Sequence, residues 1–121
     1  RKSEDSRLKS YAYMRKVLDM GLHMCIYPEG TRNKTNQPLK EFKDGAFRLA
    51  IEAKKAVVPA VLFNTKKVLP QNKTFFFWPS RIEMHFLDPV ETKDLQMDDV
   101  KKLKEQVFGL MWNYIEQKKP V

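Results

Sequence analysis

One cysteine, two histidines and four glycines in 121 residues exclude a good deal. A lone Cys25 cannot close an internal disulfide, which fits a reducing compartment, and its place amid apolar residues predicts a buried, inert thiol. Four scattered glycines leave no Gly-rich phosphate fingerprint, and no cluster of His, Cys, Asp or Glu has metal-ligand spacing. No apolar run reaches membrane-spanning length, no signal peptide is visible, and there is neither an internal repeat nor a low-complexity segment. Arg1 stands where an initiator Met would, which predicts a chain that begins inside a larger gene product or after processing.

Acidic residues are outnumbered by basic ones, giving a formal charge of +8. Such an excess implies an anionic partner: nucleic acid, a phosphorylated small molecule or the anionic surface of a membrane. Part of it is a solvated face, because the pairs Lys54-Lys55, Lys66-Lys67, Lys101-Lys102 and Lys118-Lys119 lie far apart in sequence. A hydrophobic share of 42% with 12% aromatics is globular, and the length allows one domain at most.

Cap-type and acidic residues Ser3 to Ser6, then Leu8, Tyr11, Ala12, Arg15 and Leu18 at helical spacing, predict a helix ended by Gly21. Leu22 to Tyr27 is an almost unbroken apolar run, expected as a strand covered on both faces and therefore parallel. Its His23 reads as a satisfied core or edge histidine. Asp44-Gly45 opens a second helix with the apolar face Ala46, Phe47, Leu49, Ala50, Ile51 and Ala53. Ala56 to Phe63 is the next strand, in which Pro59 demands an edge, a bulge or a site-lining break.

A turn-rich basic connection runs from Asn64 to Lys73. Phe75 to Trp78 reads as a short core or edge strand, with a lipid-touching interfacial patch as the alternative. Arg81 to Leu87 alternates as a strand whose wet face carries Arg81, Glu83 and His85. Asp98 or Asp99 caps a last helix with the stripe Val100, Leu103, Val107, Leu110, Met111, Tyr114 and Ile115. The helix–strand alternation predicts an α/β layered fold with a mostly parallel open sheet and flanking helices.

The stretch Tyr27-Pro28-Glu29-Gly30-Thr31-Arg32 organises the rest. Pro28 donates no backbone hydrogen bond and ends ladder pairing, while Gly30 permits a positive φ or a close approach to a ligand. Arg32 offers a permanently charged planar fork suited to phosphate or carboxylate. Glu29 can orient that fork or accept a proton from a bound hydroxyl. The same residues also suit an ordinary strand exit with a surface Glu–Arg pair. Lys43, Arg1 and the N-terminus of the helix opening at Asp44-Gly45 add positive character, and open α/β sheets bind ligands at strand carboxyl ends. A phosphorylated small molecule therefore fits better than a nucleic acid, whose readers interleave basic stripes with exposed aromatics.

Tyr-Pro-Glu-Gly-Thr-Arg-Asn at 27–33, Phe-Lys-Asp-Gly-Ala-Phe at 42–47 and Val-Val-Pro-Ala-Val at 57–61 resemble the glycerolipid acyltransferase family in order and spacing. Its best-known bacterial members are 1-acyl-sn-glycerol-3-phosphate acyltransferases. The resemblance covers Arg1 to about Phe63, with the later strand and helix compatible with the family's ending. It implies that Glu29, Gly30, Thr31 and Arg32 bind the glycerol phosphate, with Arg1 and Lys43 as further ligands and Pro59 on the acyl-donor side. It also implies acyl transfer to lysophosphatidate from acyl-CoA or acyl carrier protein as co-substrate, no cofactor, and work at the cytoplasmic face of a membrane, peripherally or through an anchor outside this chain.

One departure stands out. The family's catalytic pair is a His followed five positions on by an Asp; here those positions hold Pro28 after His23 and Val90 after His85. The expectation is that residues 1–121 are the C-terminal portion of one acyltransferase domain, with a motif part to about 63 and a closing strand and helix beyond, its sheet incomplete for want of upstream strands. Such a chain would be inactive alone and prone to self-association through an uncovered sheet edge. The alternative is a non-catalytic module that binds anionic lipid head groups.

Overall fold

Residues 2–68 and 79–118 are described by the computed structural model, as a mixed helix and strand fold. Arg1 and the aromatic run Phe75 to Trp78, both singled out above, lie outside these residues.

Helix α1 (Lys2–Asp19) ends as its sequence predicts. Gly21 takes φ +80, and the amides of Met20 and Gly21 bond back to Lys16 and Leu18 carbonyls at 3.1 and 3.0 Å. Little of α1 is buried, and Leu8 and Tyr13 are exposed. It docks on α2 (Gly45–Ala53) through Glu52, which accepts from the Tyr11 hydroxyl and pairs with Arg15 at 3.7 Å. Burial and the Glu52 carboxylate push the Tyr11 phenol up to about 12.

Helix α2 buries Phe47, Leu49, Ala50, Ile51 and Ala53, the small residues letting it sit close to its neighbours. Its C-terminus closes with Lys54 in the left-handed region, φ 55, so that the amides of Lys54 and Lys55 satisfy Ile51 and Ala50 carbonyls at 3.2 and 3.0 Å. Thr92, fully buried, adds a cross-tie: its hydroxyl lies 2.8 Å from the Lys55 carbonyl and 3.3 Å from that of Ala50.

The sheet pairs β1 (Ala60–Phe63) antiparallel with β2 (Glu83–Phe86), in the register Ala60 with Phe86 and Leu62 with Met84. Pro59 sits between this ladder and an isolated bridge of Val57 with Val90. It is itself buried, and its carbonyl takes the Leu87 amide at 2.8 Å. A single helical turn, α3 (Thr65–Val68), follows β1 at the start of the turn-rich basic connection.

Helix α4 (Val100–Lys118) lies against α2 and β1. Its Leu103, Val107 and Met111 join Leu39, Phe42, Phe47, Ile51, Val61 and Val90 in the core. Burying each such side chain contributes about 1.5–3 kcal/mol as an upper bound. The stripe is narrower than the sequence implied, because Leu110 is exposed. A 3-10 turn, Met97–Asp99, precedes α4; Asp99 accepts the Gln96 amide at 2.9 Å, so the acidic residue works within a capping box whose Ncap is Gln96.

Two expectations are corrected here. Leu22 to Tyr27 pairs with no strand among the described residues, and it is largely open to solvent: Leu22, His23, Cys25, Ile26 and Tyr27 are all exposed. An apolar run can be buried only where partners exist, and none of the described elements supplies them. The predicted buried thiol and core histidine fail for this reason; the strand pairing among the described residues is antiparallel.

In β2 the wet face is the opposite one. Glu83 and His85 turn inward, where His85 Nδ1 meets the Tyr114 hydroxyl at 2.6 Å and Nε2 meets Glu83 at 3.1 Å. Met84 and Phe86 point outward and are exposed, continuing on β1 with Leu62. Polar groups that satisfy one another can be buried beside α4, and alternation alone does not decide which face that is.

Candidate functional site

Tyr27 to Gly30 form a tight turn closed by the Gly30 amide on the Tyr27 carbonyl at 3.1 Å. Gly30 holds φ +72, and a Cβ there would meet Lys43 Cγ at 3.7 Å, an ordinary contact. The glycine is therefore required by backbone conformation and not by lack of space. The Lys43 amide donates to the Pro28 carbonyl at 2.8 Å, fastening the approach to α2 onto the turn.

Glu29 is half-buried, and its carboxylate takes the backbone N–H of Lys40 at 2.8 Å. The Lys40 ammonium bonds the Thr31 hydroxyl. Glu29 thus braces the loop that returns from residue 33 to 40. It makes no ion pair with Arg32 among the described residues, so the surface Glu–Arg pair allowed by the sequence is not what forms. Arg32 is exposed and has no ion pair among these residues.

The loop itself is stapled by Asn33. Its Oδ1 accepts the Thr35 amide at 2.9 Å, its Nδ2 donates to the Gln37 carbonyl at 2.9 Å, and Lys66 reaches the Thr35 carbonyl at 3.3 Å. Phe42 anchors the far end. It is 3% exposed, with ring centroids 6.0 Å from Phe47 and 5.0 Å from Phe108.

Glu29, Gly30, Thr31 and Lys43 therefore gather around one turn, and Lys40, which sequence reasoning missed, joins them. A lysine in a polar loop carries no signal of its own; only its place three residues before Lys43 could have prompted the idea. Pro59 belongs to the sheet, at the entry to β1. A cleft of about 210 Å³ opens beside the turn, walled by Tyr11 and Met14 of α1, Ile26, Pro28 and Ala46, with Lys43 among its lining residues.

Asp44 stands at the N-cap of α2 yet makes no side-chain cap there. Its carboxylate turns to Lys104 of α4 at 2.7 Å. That bond and the charge behind it hold the Asp44 carboxyl below its ordinary range, while the same bond lifts the Lys104 ammonium. The pair, with Arg48, Asp98 and Lys101, borders a shallow depression of about 400 Å³ whose opposed charges largely cancel.

No group of three or more potential metal ligands occurs among the described residues, and no helix among them is long and apolar enough to cross a membrane.

A family model described as Acyltransferase matches residues 1–63. The chain is 34% identical over 91 residues to the mouse 1-acyl-sn-glycerol-3-phosphate acyltransferase alpha, covering 75% of this chain and 32% of that protein. It is 30% identical over 108 residues to a coconut 1-acyl-sn-glycerol-3-phosphate acyltransferase, covering 88% and 34%. With the human 1-acyl-sn-glycerol-3-phosphate acyltransferase beta it shares 35% over 119 residues, covering 88% and 40%. The chain thus spans about a third of the length of the first two relatives. No solved structure matches. A match across just over half the chain, taking in the braced turn and all of β1, shows that the chain belongs to the acyltransferase family.

Proposed function

We propose that this chain forms the acceptor-phosphate half of a 1-acyl-sn-glycerol-3-phosphate acyltransferase, an enzyme that acylates lysophosphatidate to phosphatidate. The observation that carries the reading is the division of labour in the turn. Glu29 is engaged by the Lys40 backbone and Arg32 is exposed, following directly in sequence on Thr31, whose hydroxyl holds the Lys40 ammonium, while Lys43 lies against Gly30.

Such a set is suited to a phosphomonoester. Arg32 would grip two phosphate oxygens with its fork, and Lys43 and Arg1 would add charge. The acceptor hydroxyl oxygen then bonds to the acyl carbonyl carbon, the thioester carbon–sulfur bond breaks, and the donor leaves as a thiol. The hydroxyl proton needs a base, which we place outside this sequence. His85 is held between Glu83 and Tyr114, and neither it nor His23 has an Asp at the family spacing. The residues here bind and orient; Pro59 borders the side of the acyl donor, acyl-CoA or acyl carrier protein.

The remaining parts of the proposal follow from surfaces left open. The uncovered run Leu22 to Tyr27 is one strand of a mostly parallel sheet completed by the rest of a longer domain. The charge of +8 holds the protein at an anionic membrane surface, on the cytoplasmic face.

Arg32→Ala in the full-length protein tests the reading. Loss of a charge-assisted phosphate contact of about 1.5–3 kcal/mol should raise the lysophosphatidate KM roughly 10- to 100-fold in a thioester-release assay. The acyl-donor KM should stay put. An unchanged acceptor KM would overturn it, and turnover by the isolated 121-residue chain would overturn the external base.

A further inference from the structure

We propose that Lys40 is a positioning residue for acceptor phosphate, acting through the hydroxyl of Thr31; this rests on the phosphate reading of the turn. The loop from 33 to 40 folds back so that Lys40 makes two different contacts with the same turn. Its backbone N–H holds Glu29 at 2.8 Å, a bond that any residue except proline would supply. Its ammonium bonds Thr31 Oγ1, a bond that only this side chain supplies.

The second contact has a chemical consequence. Hydroxyls rotate to suit their partners, and an oxygen that accepts from an ammonium directs its own hydrogen elsewhere. Lys40 therefore turns Thr31 into a donor, on the residue that immediately precedes Arg32. Two further N–H groups remain on the ammonium for an anion. Thr31 O–H and the Lys40 ammonium then form a donor pair for one oxyanion, on the residue next in sequence to the exposed Arg32, while Lys43 lies on the Gly30 flank of the turn. The carboxylate of this turn, Glu29, is already engaged by an N–H, which limits competition for these donors.

The substrate feature recognised is a dianionic phosphomonoester, and the predicted signature is discrimination between acceptors with and without it. In the full-length protein, Lys40→Met keeps the side-chain stem and the backbone N–H but removes the charge. The lysophosphatidate KM should rise about 5- to 20-fold, the size of one partly exposed charge-assisted bond, with kcat within about twofold. Lys40→Arg should restore most of the affinity. Thr31→Val should produce a rise of similar size, and the double variant Thr31→Val/Lys40→Met should lose less than the product of the two. With monoacylglycerol, which lacks the phosphate, Lys40→Met should change nothing.

The outcomes separate cleanly. A wild-type enzyme that does not prefer lysophosphatidate over monoacylglycerol overturns the underlying phosphate reading. A wild type that does prefer it, joined to an unchanged KM in Lys40→Met, overturns the role of Lys40 alone. Equal losses in kcat for both acceptors, without rescue by Lys40→Arg, would reduce Lys40 to a loop staple and overturn it too.

Discussion

Replacing Phe42 with alanine tests whether the site is held by the core. Phe42 is 3% exposed and sits between two rings, stacked on Phe47 at 6.0 Å and edge-on to Phe108 at 5.0 Å. Truncating a buried Phe costs about 3–5 kcal/mol, of which each aromatic pair accounts for about 0.5–1.5. The segment bearing Phe42 is not in a helix or strand and can partly collapse, which favours the lower half of that range, about 3–4 kcal/mol. Against a total of about 5–15 kcal/mol that is a large loss, equivalent to roughly 10–20 °C in Tm for a domain of this size. Urea unfolding of the 121-residue chain followed by circular dichroism gives the number directly, with an unchanged m-value as the sign that compactness is kept. Phe42→Leu, which retains most of the volume, should lose only about 1–2 kcal/mol. The next residue is Lys43, whose amide is fastened to Pro28, so the Ala variant of the full-length protein should also bind acceptor more weakly while the Leu variant does not. A loss below about 1 kcal/mol in Phe42→Ala would refute the idea that this ring anchors the loop.

Thr92→Val swaps a fully buried hydroxyl for a methyl and leaves the Lys55 carbonyl short of a partner; thermal or urea unfolding should show a loss of about 1–2 kcal/mol, and no loss would mean the cross-tie to α2 is dispensable. The Asp44–Lys104 pair predicts a pH window. Asp44 is lowered from its ordinary value of 3.8, so its contribution is present above that value and lost as pH falls through the lower folded one. Lys104 is raised from 10.5, so its contribution persists below that value and fades as pH rises beyond it. Asp44→Asn should therefore differ from wild type by a constant margin between these limits in pH-dependent unfolding, and a margin that varies near neutrality would contradict the pairing.

How much of this was legible in the sequence depends on which interactions are local. Helices α1, α2 and α4 declared themselves through spacing and punctuation, and Gly21 and Asp44-Gly45 stand at the boundaries they predict. The turn at Pro28 and the positive φ of Gly30 are likewise local consequences of Pro and Gly chemistry. Which face is covered is not local. Leu22 to Tyr27 reads as a buried strand because it is apolar, but burial depends on neighbours that the described residues do not provide. In β2, Glu83 and His85 look like a solvent face until Tyr114, twenty-nine residues after His85, is found to satisfy the ring.

The site shows the same split. Glu29 and Arg32 stand out as candidates by charge and spacing, whereas the choice between a Glu–Arg pair and a braced Glu29 rests on where the loop places the Lys40 amide. Lys104, sixty residues after Asp44, draws the carboxylate off the α2 N-terminus, and no local pattern announces it.

The most direct measurement is the affinity of the full-length protein for lysophosphatidate in mixed micelles without acyl donor, compared between wild type and Arg32→Ala. With Arg32 as the principal phosphate ligand, the variant should bind about tenfold or more weakly, the weakening should shrink at high salt, and monoacylglycerol binding should be unaffected. Equal affinities for lysophosphatidate would contradict the assignment of this turn as the phosphate site.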